Sequence, residues 1–415
     1  MGGILTPSVG TLPQTADVVV IGGGIVGVAT AFWLSRAGLD TVLVEMRDGL
    51  SALTTAQSIE CFRCQFTEPA MAELALPSVA MYENFADAVG LTGYDIAVRQ
   101  QGYLFVTGEE REVDRLKAAV AKHHALGVGD SEFLDCDELR ARFPYLSERA
   151  VAGTFRQRDG WLSAHEATQG FAKGSSATFL LNTKVTGIRL DSAHSGGAPG
   201  VSAVETSRGT IATRTVVDAA GPFAGLVGEL VGIRLPLEPV RRQKVFVAPR
   251  PSIPQDAPLT IDLTEDAYWR PETGGAYIAW VDPDEPVGKP TEHVPTDWRF
   301  AAVVLEKLIG LNPFWEEIAS TLKSKDLHPS AGQYVYTPDD QPLLGPVPEV
   351  PGFFVNCGYW AGVMLAPEAG RRVANLITGE MLPEDNPLRP TRYREGAFHK
   401  GDSFLRGRHQ SDAGQ

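Results

Sequence analysis

The first strongly patterned stretch is "ADVVVIGGG" (16–24), where four β-branched residues run into three glycines. With no polar alternation, it predicts a strand buried on both faces. "IVGVATAFWLSRAG" (25–38) predicts a helix that stops at Gly38, and "DTVLVEM" (40–46) predicts a second buried strand. Together they make a βαβ unit. "EPAMAELALPSVAMYENFADAVG" (68–90) predicts a long helix kinked at Pro77. "GYLFV" (102–106) predicts a strand, and "EEREVDRLKAAVAKHHALG" (109–127) an amphipathic helix with a glycine stop.

The middle of the chain is rich in strand: "ATFLL", "VTGIRL", "VSAVETS" and "TIATRTVVDAAG". A proline-rich segment (236–258) opens a second set, "LTIDL", "AYWRP" and "GAYIAW". "TDWRFAAVVLEKLIG" returns to helix. "GFFVNCG" (352–358) and "APEAGRRVANLITG" (366–379) predict a last strand and helix. The polar tail, with Arg389, Arg392, Arg394, Lys400, Arg406 and Arg408, predicts a solvated arm over 386–415, packed against the body or a subunit neighbour. The start, "MGGILTPSVGTLPQTA", has neither a basic nor an apolar region of a signal peptide and predicts a flexible leader.

A length of 415 residues predicts two domains. The net charge of −14 disfavours nucleic acid and anionic membrane as partners. No apolar run is long enough to span a bilayer. Four cysteines without a framework of spacings fit a reducing cytoplasm. Cys61-x-x-Cys64 has the spacing of a redox dithiol or half a metal site. Cys136 and Cys357 are isolated, so no metal is expected, and the pair reads as small apolar residues.

Gly22-x-Gly24-x-x-Gly27 falls between the first strand and helix. Gly22 permits the tight turn, Gly24 lets the backbone approach a pyrophosphate, and Gly27 lets helix and sheet pack closely. The helix N-terminus would hold the pyrophosphate. Glu45 ends the second strand, 18 residues past Gly27, where an acid accepts a ribose hydroxyl bond. It would repel a 2′-phosphate, so the ligand is an NAD- or FAD-type dinucleotide. No third strand follows promptly, and the fingerprint lies almost at the N-terminus, as in many flavoproteins.

With "VVVIGGGIVGVATAFWLSRAG", "GYLFV", "DGWLSAHEATQG", "DAAGPFAG", "YTPDDQPLLG" and "GYWAGVMLAPEAG" in order, the chain resembles the D-amino-acid oxidase superfamily of FAD-dependent oxidoreductases. The resemblance implies an α/β (α+β overall) architecture: a Rossmann-like FAD-binding domain interleaved with a mostly antiparallel-sheet substrate domain. The first would take 16–95, 150–235 and 330–385, the second 96–149 and 236–329. It implies that Thr54, Thr55, Val185, Ala220, Gly221, Asp339, Gly362, Val363 and Met364 join Gly22, Gly24, Gly27 and Glu45 at the cofactor.

The same resemblance places Arg63, between the two cysteines, where sarcosine oxidases hold a substrate carboxylate; a guanidinium fork suits that role. Two departures narrow it. Members with covalent flavin carry a cysteine six residues before the motif proline; here that proline is Pro338 and the position is Gly332, so FAD is expected to be non-covalent. Their "GHGFK" is "WAGVM" here, with Met364 for the lysine and Ala361 for the histidine. A two-cation clamp is absent. Tyr268, Trp269 and Trp360 are candidates for holding an amine on an aromatic face, and Tyr103 and Trp161 read as core. His123, His124 and His165 read as helix-surface residues.

The implied reaction is oxidation of the C–N bond of a small-molecule amine or amino acid by hydride transfer to flavin N5, with O2 or another acceptor. Two alternatives stand beside it: a dehydrogenase of a hydroxy acid or polyol, and a non-catalytic flavin subunit of a complex. A homo-oligomer is left open.

Overall fold

The structure, a computed structural model, describes residues 4–5, 12–192 and 198–398. Lys400, Arg406 and Arg408 of the expected arm, and most of the expected leader, lie outside them. Ile4–Leu5 pairs in parallel with the strand Thr178–Leu180.

Val18–Ile21 is a strand whose four residues are all buried, as an unalternating β-branched run requires. It lies mid-sheet between Thr41–Val44 and Thr215–Asp218. The sheet has seven strands, in the order Ile4–Leu5, Thr178–Leu180, Thr41–Val44, Val18–Ile21, Thr215–Asp218, Phe353–Cys357, Leu343–Pro346. All neighbours are parallel except the last pair. The chain leaves this sheet after Val44 and re-enters it at Thr178. The delayed third strand seen in the sequence is this excursion.

The excursion and a second one build an eight-stranded sheet, ordered Leu327–Tyr336, Glu238–Val247, Gly275–Trp280, Ala267–Glu272, Leu259–Asp262, Tyr103–Thr107, Ala152–Arg156, Glu132–Asp135. It is antiparallel apart from the Leu259–Asp262 and Tyr103–Thr107 pair. Ala152–Arg156 and Leu327–Tyr336 thus belong to this sheet, across the segment boundaries expected at 150 and 330.

"TIATRTVVDAAG" is two strands, not one: Gly209–Ala212 joins a three-stranded antiparallel sheet and Thr215–Asp218 the parallel one. The helix expected at 366–379 begins at Gly362. The helix over 68–90 ends at Glu83, and a short helix, Phe85–Val89, follows. Helix Ile25–Arg36 packs on helix Gly362–Thr378 so closely that a side chain at Gly370 would meet the Ala29 backbone at 2.8 Å. His123 is fully buried, its Nδ1 bonded to Ser131 Oγ, whereas His124 and His165 are exposed. Among the described residues no helix is long and apolar enough to cross a membrane.

The described part of the polar tail packs against the body, as expected. Leu388 and Asn386 are buried, and Leu344 N donates to Leu388 O. Arg392 is 1% exposed and grips Asp339 with two bonds, Nε–Oδ2 at 2.8 Å and Nη2–Oδ1 at 2.9 Å. Burial pushes the Asp339 carboxyl up, but the Arg392 hydrogen bonds and charge bring it below its ordinary value overall. The sequence reading missed this because the partners are 53 residues apart.

Removing one partner of a buried pair strands the other charge, at a cost of about 3–5 kcal/mol. Arg392→Met is therefore expected to lower the chemical-denaturation midpoint by that equivalent, and Asp339→Asn with Arg392→Met to recover part of it. Because the folded-state pKa is depressed, the pair's stability is fully present above the ordinary aspartate value. It is lost as pH falls through the lowered one. A midpoint unchanged by Arg392→Met would show the pair to be energetically idle.

Candidate active site

Val18–Ile21, Thr215–Asp218 and Phe353–Cys357 end at one sheet edge, and a cavity of about 660 Å³ runs past their C-terminal ends beneath the eight-stranded sheet. Ligands of open α/β sheets bind at such an edge. The cavity's two ends differ in chemistry.

At the first end, Gly22 sits at φ +113°, where a side chain would strike the Ala219 backbone. A Cβ on Gly27 would lie 2.0 Å from Gly22 O. The helix N-terminus can close on the turn only because both are glycine. Glu45 binds the turn directly: its carboxylate accepts from Gly23 N at 2.6 Å and Arg47 N at 2.8 Å. Burial raises its pKa against these bonds. Thr55 Oγ1 accepts from Ile25 N at 3.2 Å, capping a helix whose own cap residue, Gly24, has no side chain to do so. Thr54 Oγ1 donates to Gln333 O. Val185, Lys184 and Arg47 line the same end. Asp218 is buried with one oxygen accepting from Ala220 N, which holds the Ala219, Ala220 and Gly221 turn against the cavity. Burial pushes its pKa up to about 8.

At the far end, helix Gly362–Thr378 starts at the cavity wall, so Gly362, Val363 and Met364 line it with the helix's positive pole. Tyr82 Oη donates to Val363 O and fixes that turn. Trp360 lines this end, its Nε1 bonded to Asp340 O. Phe66, Glu68, Met71, Tyr103, Ile261, Tyr268, Tyr334 and Tyr336 complete it. Asp339 lines the cavity, but its carboxylate is already engaged by Arg392, Tyr393 and Thr337.

Every expected cofactor residue except Gly27 therefore lies on one cavity wall, and Gly27 acts by packing. Tyr268 is on the wall too. Its neighbour Trp269 is not: adjacent strand residues face opposite ways. Trp269 is fully buried, bonded to Asn312 and packed on Tyr145, Phe314 and Trp315. Tyr103, expected in the core, is buried in a core cluster and also lines the cavity. Glu68, Tyr334 and Tyr336 were not singled out. The signal for the last two was their i, i+2 spacing in a strand, which puts them on one face.

Arg63, expected to reach the substrate, is not on the wall. It is 1% exposed, with its Cζ 4.0 Å from the Phe66 ring and 5.2, 5.9 and 5.9 Å from Phe105, Tyr103 and Trp360. Nη1 donates to Gln65 O and Nε has no partner. Burial lowers its pKa. The surrounding loop is pinned by Asp159, which accepts from Cys64 N and Gln65 Nε2, and by Arg270, which donates to Ile59 O.

Cys61 and Cys64 are free and buried. Burial pushes the Cys61 thiol up to about 12 and Cys64 higher still, the reverse of a reactive dithiol. No cluster among the described residues could hold a metal. Cys61 lines the cavity as a thiol bonded to Ile59 O, and a side chain at Gly332 would meet Gln57 Cβ at 3.0 Å. Neither offers a thiolate to a flavin.

Acid precipitation is thus expected to release all yellow cofactor into the supernatant; colour in a washed pellet would mean a covalent link. Glu45→Ala removes a charged acceptor from the glycine turn and, where Glu45 takes the ribose hydroxyl expected of it, from the cofactor too. It should weaken FAD binding by about 1.5–3 kcal/mol, roughly ten- to a hundred-fold, in a titration of the apoprotein. Unchanged affinity would make Glu45 a brace for the turn alone.

The family model described as FAD dependent oxidoreductase (DAO) matches residues 17–376. Human mitochondrial sarcosine dehydrogenase is 29% identical over 381 residues, covering 88% of this chain and 40% of that protein. Human mitochondrial dimethylglycine dehydrogenase is 25% identical, with 91% and 44% covered. The chain spans less than half the length of these two relatives. Glycine oxidase of Geobacillus kaustophilus is 28% identical, with 87% and 92% covered. Among solved structures, L-proline dehydrogenase from P. horikoshii superposes with a TM-score of 0.81 at 27% identity, covering 94% of this chain and all of that one. Cavity, glycine turn and comparisons agree: the chain belongs to the DAO family of FAD-dependent oxidoreductases.

Proposed function

We propose that the chain oxidises the C–N bond of a small amine or amino acid at the aromatic end of the cavity. In this reading the parallel sheet and its helices form the cofactor-holding body, and the eight-stranded sheet, with Ala152–Arg156 and Leu327–Tyr336 counted in it, is the roof. The adenosine end of FAD would rest by Glu45 and Val185, and its ring by Gly362, Val363 and Met364. FAD, when bound, supplies the acceptor for a hydride from the carbon beside nitrogen. The imine product is then hydrolysed by water.

The observation that carries the reading is the composition of the far wall. Phe66, Met71, Tyr103, Tyr268, Tyr334, Tyr336, Trp360 and Met364 line it, with the acids Glu68, Asp339 and Asp340 and no histidine or lysine. The lining bases, Arg47 and Lys184, adjoin Glu45 and Val185 at the other end. An apolar wall disfavours an ammonium and so favours the reactive neutral amine. Burial raises the Tyr268, Tyr334 and Tyr103 pKa values, so the phenols stay neutral donors. A hydroxy acid would need a base within reach of its hydroxyl. A neutral amine needs none. Glu68, bonded to Thr67 Oγ1, is assigned to accept an N–H of the amine and orient it. The names of sarcosine dehydrogenase, dimethylglycine dehydrogenase, glycine oxidase and L-proline dehydrogenase, among the similar proteins, support the same reading.

Rapid mixing of the FAD-loaded protein with N-methylglycine, N,N-dimethylglycine, glycine, proline and matching hydroxy acids tests this. An amine from this set should bleach the oxidised-flavin band, and the hydroxy acids should not. Glu68→Gln should slow reduction by the amine no more than about ten-fold, because an orienting bond is worth about 1.5 kcal/mol. Reduction only by a hydroxy acid, abolished in Glu68→Gln, would establish the alternative chemistry. Reduction by none, with co-purifying partners, would favour a non-catalytic flavin subunit.

A further inference from the structure

Asp218 ends strand Thr215–Asp218 and is fully buried. One carboxyl oxygen accepts from Ala220 N at 3.1 Å, and the other, Oδ2, is buried without a hydrogen-bond partner. Among the described residues no cation pairs with it. The groups that face it from neighbouring elements do not supply one. Val18–Ile21 carries no titratable side chain, and Phe353–Cys357 brings the Cys357 thiol, which lies in the Asp218 field. Arg392 acts on that thiol, but its guanidinium is bonded to Asp339. Helix Ala224–Glu229 ends in the exposed Glu229, and strand Gly200–Thr206 carries Glu205, bonded to Arg189.

An unpaired carboxylate this deep is costly, so burial favours the neutral acid and pushes the Asp218 pKa up to about 8. Its place gives that proton a use. The carboxyl holds the Ala220 turn on the cavity wall. Ala219, the next residue, packs on the glycine turn: a Cβ on Gly22 would lie 2.5 Å from Ala219 O. The glycine turn and the helix N-terminus after it are where a dinucleotide puts its two phosphate charges. An ionised Asp218 would add an uncompensated buried anion to the same contact.

We propose that Asp218 is a proton-linked positioning residue for the cofactor: FAD binds the form in which Asp218 is neutral, and an apoprotein that has lost this proton takes one up from solvent as FAD binds. The neutral carboxyl still accepts from Ala220 N, so the turn keeps its place while repulsion of the phosphates is removed. Asp218 acts through the turn and does not itself line the cavity. The proposal rests on the family's cofactor and not on the amine-oxidation reading. Bound phosphates raise the carboxyl's pKa above its value in the apoprotein. FAD affinity is therefore constant well below about pH 8 and falls as pH rises through it.

The apoprotein is titrated with FAD from about pH 6 to about pH 9, with binding read from the quenching of flavin fluorescence. Between about pH 7 and about pH 9 the wild-type dissociation constant is expected to rise about five-fold or more, and between about pH 6 and about pH 7 by less than about two-fold. Asp218→Asn, neutral at every pH and of the same shape, should keep the low-pH affinity within about three-fold and cut the rise to less than about two-fold. Other groups titrate in both proteins, so the difference belongs to Asp218. Calorimetry at about pH 8.5 in two buffers of different ionisation enthalpy should count about half a proton or more taken up per FAD by the wild type, and fewer than about 0.2 by Asp218→Asn. If Asp218→Asn fails to fold, the wild-type proton count carries the test. Uptake below about 0.2 proton by the wild type, or a wild-type pH profile retained in Asp218→Asn, would overturn the proposal. So would affinity lowered equally at every pH, the mark of a residue that only braces the turn.

Discussion

The structure depends on one close approach: the N-terminus of helix Ile25–Arg36 against the turn at Gly22. Gly27 stands where any side chain would overlap Gly22 O, and Gly22 where any would overlap Ala219. With both side chains absent, the turn, the helix and the end of Thr215–Asp218 meet at one point. Glu45 fastens the turn by accepting from Gly23 N. Each neighbouring element takes its position from that contact. Thr55 reaches across to the helix N-terminus, and Gly370 lets helix Gly362–Thr378 press on the same helix's Ala29 and Thr30. The start of this second helix is thereby delivered to the cavity's other end.

Polarity is distributed along the cavity accordingly. At the glycine turn the wall carries the glycine backbone, the helix N-terminus and the Glu45 carboxylate, groups of the polarity that phosphates and ribose hydroxyls take. Under the roof sheet, side chains are aromatic or phenolic, and the Arg63 charge is buried against Phe66. A guanidinium on the wall would bring its hydration with it. Behind rings it keeps its field while leaving the wall dry, which strengthens each electrostatic contact made there. The cost is a buried cation, Arg63, stacked on Phe66 with no ion pair among the described residues.

What was legible in the sequence was what local pattern determines. The βαβ unit with its fingerprint came from an unbroken β-branched run, glycines at fixed offsets and an acid at the second strand's end. The residues that the family resemblance expects at the cofactor, Gly27 apart, line one cavity wall. What was not legible depended on partners far along the chain. Arg392 reads as a solvated tail residue until Asp339 is beside it. Tyr103 and Trp269 both read as apolar and aromatic, and only the sheet face decides which one meets the cavity. Arg63 has the right address in the loop. Phe66 lies between its guanidinium and the wall, an arrangement that the loop sequence cannot reveal. "TIATRTVVDAAG" continues its β pattern while the chain crosses between sheets at 213–214, because both halves have the same β-branched chemistry.

The central claim is that one cavity holds FAD end to end, with its reactive ring beneath the phenolic roof. A crystal structure of the FAD-loaded protein tests this most directly. The account predicts a ribose hydroxyl on Glu45, the adenine near Val185, and the ring between the turn at Gly362, Val363 and Met364 and the hydroxyls of Tyr268 and Tyr334. A ring lying away from that roof, with Tyr268 and Tyr334 facing only solvent, would contradict it.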